Sequence, residues 1–68
     1  MTQSEMILQY MHENGSITPK EALEDLGCMR LGARIWDIKR TGVKIIKTME
    51  QGENRLGYPT RYARYRLA

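Results

Sequence analysis

Three arginines and an aspartate between residues 30 and 40 have the chemistry to bind a phosphate or the edge of a nucleic-acid base. They are Arg30, Arg34, Asp37 and Arg40. A guanidinium group donates two parallel hydrogen bonds to a phosphate or to O6 and N7 of guanine. The carboxylate of Asp37 could hold Arg34 or Arg40, each three residues away, or accept a hydrogen bond from a cytosine amine. These groups could act together if one element presented them on a common face.

A single helix over residues 29–41 would present them in this way. When Leu31, Ile35 and Ile38 are placed in the core, they fall within about 60° of one another on a helical wheel. The opposite face then carries Met29, Arg30, Ala33, Trp36, Asp37 and Arg40, with Arg34 and Lys39 at its sides. We expect Trp36 to lie partly in the core or against the hairpin that follows this helix, with a role as a stacking platform as the alternative, and the arginines to point outward.

Charge divides the 68-residue chain into an acidic part and a basic part. Residues 1–28 hold one base, Lys20, and five acids, which gives −4. Residues 29–68 hold ten bases and three acids, which gives +7, and the two parts together give the net charge of +3. A surface polarised in this way steers association with polyanions. The basic part begins where the third helix is expected to begin.

Two shorter helices are expected before this basic part. The first has Thr2 or Ser4 as its N-cap, and Glu5 lies at the capping-box spacing from Thr2. It ends at residues 14–15, an Asn-Gly pair that tolerates a left-handed backbone. The second begins at the sequence Thr18-Pro19-Lys20-Glu21, which supplies an N-cap, a proline at the first helical position and a capping-box glutamate. It ends at Gly27.

A β-hairpin is expected after the third helix. Residues 43–50 and 61–67 alternate roughly between apolar and polar side chains, which is typical of strands, and residues 51–60 are dense in turn formers. The predicted order is therefore three helices and a hairpin, with a possible short strand near Ile17. We expect the hairpin to turn Val43, Ile45, Ala63, Tyr65 and Leu67 toward the core and Lys44, Tyr62, Arg64 and Arg66 outward.

Three stretches follow a shared pattern: Gly15-Ser16-Ile17-Thr18-Pro19, then Arg30-Leu31-Gly32-Ala33-Arg34-Ile35-Trp36-Asp37-Ile38-Lys39-Arg40, and finally Arg61-Tyr62-Ala63-Arg64-Tyr65-Arg66-Leu67. Together they resemble a small winged helix-turn-helix family that is common in phage and prophage genomes. The resemblance covers nearly all 68 residues. It implies a winged helix-turn-helix fold of the α+β class and DNA binding by the third helix and the hairpin, or wing. The length of the chain predicts one domain over residues 1–68. Gly32 is a local departure, which either permits close approach of a backbone or partner or has no role.

These considerations predict a set of DNA-binding residues. We expect the third helix to enter the major groove of B-DNA and the wing to contact the adjacent backbone. The candidates for contact with base edges are Arg30, Ala33, Asp37 and Arg40, and those for contact with the backbone are Arg34, Lys39, Lys44, Lys47, Arg55, Arg61 and Arg64. A second interpretation stays open for most of them. The basic side chains on the helix could simply keep an exposed face in contact with water, and Arg34 could form a salt bridge with the acidic half. The basic side chains on the strands could discourage edge-to-edge aggregation.

Catalytic, metal and cofactor motifs are not found in the sequence. There is no glycine-rich phosphate loop and no paired histidine and carboxylate motif. Cys28 and His12 are the single cysteine and histidine, so the chain forms no internal disulfide, a zinc site is not expected, and Cys28 is expected to be a small buried hydrophobic residue. The N-terminus lacks the features of a secretion signal, and no apolar run would span a bilayer. We therefore expect a cytoplasmic protein without enzymatic activity, cofactor or membrane contact.

Three functions are compatible with these features of the sequence. The first is a phage or prophage transcriptional regulator that binds double-stranded DNA as a homodimer, with the acidic first helix as its contact. The second is a protein-interaction module on the same scaffold, such as a small phage inhibitor of a host or viral protein, anchored by Met29, Trp36 and Tyr62. The third is binding of double-stranded RNA or non-B DNA through the same basic face.

Overall fold

Three helices are followed by an antiparallel pair of strands in the computed structural model, which describes residues 1–68. The elements are α1 (Gln3–Asn14), α2 (Pro19–Leu26), α3 (Leu31–Arg40), β1 (Ile45–Glu53) and β2 (Pro59–Leu67). This order confirms the predicted α+β winged helix-turn-helix fold. The hairpin of β1 and β2, here called the wing, projects from the helices and gives the molecule a length of 38 Å against 22 and 21 Å in the other directions.

Reciprocal capping boxes begin α1 and α2, as the sequence predicts. The Thr2 side chain accepts a hydrogen bond from the Glu5 amide at 3.1 Å, and the Glu5 carboxylate accepts one from the Thr2 amide at 2.9 Å. Thr18 and Glu21 repeat the arrangement at 3.3 and 2.9 Å. Each box satisfies two amides that the first helical turn leaves without partners. The first helix therefore begins after Thr2 and not after Ser4.

The third helix is shorter than predicted, because the chain uses residues 27–30 to turn from α2 into α3. Gly27 ends α2 in the left-handed conformation with φ of 65°, and the Cys28 amide donates to the carbonyl of Ala22 at 2.9 Å. Met29 and Arg30 therefore precede the helix, and Arg30 is its N-cap without a side-chain hydrogen bond. The inclusion of these two residues in the helix was wrong.

The wing is continuous with the connector between α1 and α2. β1 pairs with β2 in a register that runs from Ile45 opposite Leu67 to Glu53 opposite Pro59. Ile17 forms an isolated bridge with Tyr65, in which each amide donates to the other residue's carbonyl, at 2.8 and 2.9 Å. This bridge confirms the short extended segment expected near Ile17. It attaches the base of the wing to the helix-turn-helix.

The core combines side chains from the three helices, the connectors between them and the start of β1, and Tyr65 and Leu67 of β2 pack against it. Its buried apolar residues are Ile7, Met11, Ile17, Ala22, Cys28, Leu31, Ile35, Ile38 and Ile45. Cys28 is a buried small hydrophobic residue, as expected. Leu23 was expected in the buried stripe of α2 but is 52% exposed, since the two-turn helix α2 turns mainly Ala22 and Leu26 toward the core.

A hydrogen bond between Tyr10 and Asp25 joins α1 to α2 and makes the stability of the fold decrease with pH in the alkaline range. The Tyr10 hydroxyl donates to the Asp25 carboxylate at 2.6 Å, which raises the pKa of Tyr10 from 10.0 to about 12. The folded state therefore holds this proton more tightly than the unfolded state. The resulting stability is complete below pH 10 and is lost as the pH rises toward 12.

We expect the free energy of unfolding to fall more steeply over this alkaline range in the wild type than in Tyr10→Phe. Urea titrations followed by circular dichroism at several pH values would measure the difference. Tyr58→Phe is the matched control, because Tyr58 is exposed and the variant should keep the wild-type slope. Equal slopes for the wild type and Tyr10→Phe would contradict the assignment.

Candidate nucleic-acid interface

The outer face of α3 is open to solvent because its opposite side fills the core. Leu31, Ile35 and Ile38 are buried as predicted, and all three lie on one side of the helix. On the outer face, Ala33 is half-buried and Arg40 is exposed. A helix whose outer face is free in this way has the dimensions to enter a DNA major groove.

Trp36 lies on this outer face and carries Arg40 stacked on its ring. The guanidinium carbon of Arg40 lies 4.6 Å from the centroid of the indole ring, within the range of a cation–π interaction. Trp36 is 59% exposed, so the expectation that it packs in the core or against the wing was wrong. Ile35 and Ile38 already occupy the buried side, and Trp36 points away from both.

Arg34 and Asp37 form a second pair on the flank of α3. Their guanidinium and carboxylate groups are 3.2 Å apart, so Asp37 does orient the arginine three residues before it. Arg34 does not pair with the acidic half of the chain. Its Nε atom is buried without a hydrogen-bond partner, which leaves the terminal nitrogens as the accessible part of the group. The pair has little net charge, and Arg34 as a phosphate contact stays a prediction.

Arg64 does not project freely from the wing, and this corrects the expectation that it points outward. Its Nε donates to Glu50 at 2.9 Å, its Nη1 donates to Ser16 at 2.8 Å, and the same nitrogen lies 3.8 Å from Glu21. The hydrogen bond from Arg64 holds the pKa of Glu50 below its ordinary value and raises the pKa of Arg64. Arg64 therefore ties both strands of the wing to the start of α2, and carboxylates already offset its charge.

The remaining lysine and arginine side chains of the basic half are exposed and form no ion pair. They are Arg30, Lys39, Arg40, Lys44, Lys47, Arg55, Arg61 and Arg66. Lys39 and Arg40 lie in the last turn of α3, and Arg55 lies in the turn at the wing tip. Arg66 was expected to face outward but was not among the predicted contacts. The alternation of side chains along β2 was the signal that could have placed Arg66 among the candidate contacts.

An open groove between α2 and the wing has no excess of positive charge. It has a volume of about 690 Å³, and its charged lining consists of three carboxylates and two basic side chains: Glu21, Glu24, Glu53, Lys20 and Arg64. Since Arg64 is already bonded to Glu50 and Ser16, the groove suits an anion less well than the exposed basic residues do. No group of three or more histidine, cysteine or carboxylate side chains comes together in a way that could hold a metal ion. The surface that suits a polyanion therefore consists of the outer face of α3 and the wing.

Fold and surface together define the class of the protein as a winged helix-turn-helix domain, a module of the DNA-binding type. A family model described as "Winged helix-turn-helix domain" matches residues 2–68, and the chain belongs to this family. Comparison with curated proteins and with solved structures gives no match. None of the helices is both long and apolar enough to cross a membrane.

Gly32 near the start of α3 is not required by packing within the chain. A Cβ atom at this position would have nothing within 4 Å, and the backbone is not left-handed. We expect Gly32→Ala to raise the free energy of unfolding by up to about 1 kcal/mol, because alanine loses less backbone entropy in a helix. Thermal denaturation would measure this. Gly27→Ala is the control and should destabilise, since Gly27 has φ of +65°; a destabilised Gly32→Ala would contradict this expectation.

Proposed function

We propose that the chain is a sequence-specific DNA-binding protein that regulates transcription in a phage or prophage and acts in the bacterial cytoplasm. The observation that carries the proposal is the set of eight exposed lysine and arginine side chains in the basic half that form no ion pair. Two of the three acids of this half, Asp37 and Glu50, are paired with Arg34 and Arg64, and the third, Glu53, forms no ion pair. The free positive charge is therefore concentrated on α3 and the wing. The phage origin is supported by the family resemblance of the sequence.

In this proposal α3 lies in the major groove and reads base edges. Arg30 and Arg40 supply guanidinium groups, and Asp37 supplies a carboxylate held by Arg34. Ala33 presents a single methyl group, which permits close approach to the groove floor and apolar contact with a thymine methyl. Lys39 lies beside this set and contacts the flanking phosphates.

The wing contacts the backbone next to the groove. Arg55 at the tip and Arg61 in β2 are exposed, and Lys47 lies on the same face of the wing as Arg61 according to the strand register. Lys44 extends the basic surface to the base of β1. Arg64 serves in this proposal as a positioning residue, because its bonds to Ser16 and Glu50 fix the wing relative to α2.

Two copies of the chain are expected on one operator. A single module of this size buries about 600–1,000 Å² on DNA, which is too little to select one site in a genome. The acidic α1 is the contact that we propose for the dimer, and a two-fold related operator would match it. Light scattering with and without operator DNA tests this part, and a strict monomer on a single half-site would contradict it.

Selection from a random duplex library tests the function as a whole. Protein-bound DNA is recovered over several rounds and sequenced, and the proposal predicts an enriched motif. In the variants, Arg40→Ala should relax the motif, whereas Arg55→Ala should weaken all sequences alike. Recovery of bound DNA without an enriched motif would indicate an architectural role instead of transcriptional regulation.

A protein-interaction module is the second candidate, and one observation favours it. Met29 is 85% exposed just before α3, and Trp36 is 59% exposed on its outer face. Exposed large apolar side chains are typical anchors of protein interfaces. An absence of binding to any duplex at low salt would support this candidate over DNA binding.

A further inference from the structure

We infer that Trp36 positions Arg40 to recognise a guanine, which makes this pair a specificity determinant of α3. The inference rests on the proposed function and deepens it by naming the base that is read. Three observations carry it: where the stack places the charge, which hydrogen-bond donors it leaves free, and which side of the helix it occupies.

The stack moves the charge of Arg40 from the end of α3 toward its middle. Arg40 is the last residue of the helix, and a long side chain at such a position can usually sample many directions. Side chains on a helix lean toward its N-terminus, and residues four apart lie above one another. The guanidinium therefore lies over Trp36, one turn back, at 4.6 Å from the ring.

The guanidinium of Arg40 keeps all its donors available in this position. It forms no ion pair, and the carboxylate nearest along the helix, Asp37, is already bonded to Arg34. The contact with the ring occupies no oxygen or nitrogen acceptor, so the N–H groups along the edge of the guanidinium stay free. That edge matches O6 and N7 of guanine, which accept two parallel hydrogen bonds.

The position of Arg40 around the helix favours a base over a phosphate. At 3.6 residues per turn, Arg40 lies about 180° from the buried Leu31. This direction points to the floor of a groove when the outer face of α3 enters it, whereas Lys39 lies nearer the side. Without the indole ring, the flexible Arg40 side chain would be free to reach a backbone phosphate instead.

The test uses a duplex selected from the random library, in which guanines are replaced one at a time by 7-deazaguanine. This base keeps O6 and its Watson–Crick pairing but lacks N7. Fluorescence anisotropy should show a loss of about tenfold in wild-type affinity at one guanine or more, in line with the discrimination that a bidentate pair provides. The same replacement should hardly change the affinity of the Trp36→Ala and Arg40→Ala variants for the duplex. The Trp36→Phe variant should still lose most of the affinity that the wild type loses.

Met29→Ala is the matched control, because it removes another exposed apolar side chain next to α3 and should leave the 7-deazaguanine effect at its wild-type size. Thermal denaturation of each variant shows whether it is folded. The inference is overturned if Trp36→Ala keeps the full effect or if no guanine in the selected motif is sensitive, and in both cases sequence-specific DNA binding still stands. If selection yields no motif, sequence-specific recognition fails together with the inference. If the wild type binds no duplex at low salt, the whole proposed function fails.

Discussion

Replacement of Ile7 by alanine is expected to lower the free energy of unfolding by about 2–5 kcal/mol. Ile7 lies in α1 with none of its surface exposed and belongs to a core of nine buried residues. Alanine would remove three side-chain carbons from a site that the neighbouring helices cannot refill without moving. A 68-residue domain has a total stability of only about 3–5 kcal/mol from such a core. The variant should therefore be largely unfolded at physiological temperature.

Ile46→Ala is the matched control, because it makes the same chemical change at a position that is 39% exposed on β1. Its effect should stay near 0.5 kcal/mol, about the size expected for surface substitutions. Urea denaturation followed by circular dichroism would give both values. Similar losses in the two variants would show that the core is not organised as described.

The second large effect is on the salt dependence of DNA binding, which we expect two arginines of the wing to determine in part. We expect the double variant Arg55→Ala, Arg61→Ala to reduce the slope of log affinity against log salt by about two, because each phosphate contact contributes about one. Both side chains are exposed and neither forms an ion pair within the chain. The loss of affinity should be the same for selected and random duplexes, since phosphate contacts do not read sequence.

Lys20→Glu provides the control for the wing variant. It changes the net charge by the same two units but acts on the single lysine of the acidic half. The slope should stay near its wild-type value if local contacts, and not the overall charge, determine the salt dependence. An equal decrease in both proteins would contradict the assignment of Arg55 and Arg61 to the backbone.

The features predicted best from the sequence are those that depend on neighbours along the chain. The Thr2–Glu5 and Thr18–Glu21 capping boxes and the left-handed Gly15 and Gly27 follow local rules, because a helix end must satisfy its own amides and carbonyls. The buried side of α3 was also predicted, since three branched side chains at helical spacing leave one side for the core. The order of the elements followed from the helical and strand periodicities and from the turn residues between them.

The features that were mispredicted depend on residues far apart in sequence. The guanidinium of Arg64 bonds to Ser16, which is 48 residues away, and alternation along β2 alone could not show that partner. Trp36 was assigned to packing because large aromatic side chains are often buried, but the core is already filled by smaller residues from α1 and α3. Its exposed stack with Arg40 depends on how α3 is rotated against the other helices.

The central claim, that α3 and the wing form a DNA-binding surface, is tested most directly by fluorescence anisotropy of a labelled duplex at about 50 and 200 mM salt. We predict binding at the lower concentration and a decrease in affinity of about 100-fold at the higher one, as about four phosphate contacts would give. Absence of binding at low salt, or an affinity that does not change with salt, would contradict the claim.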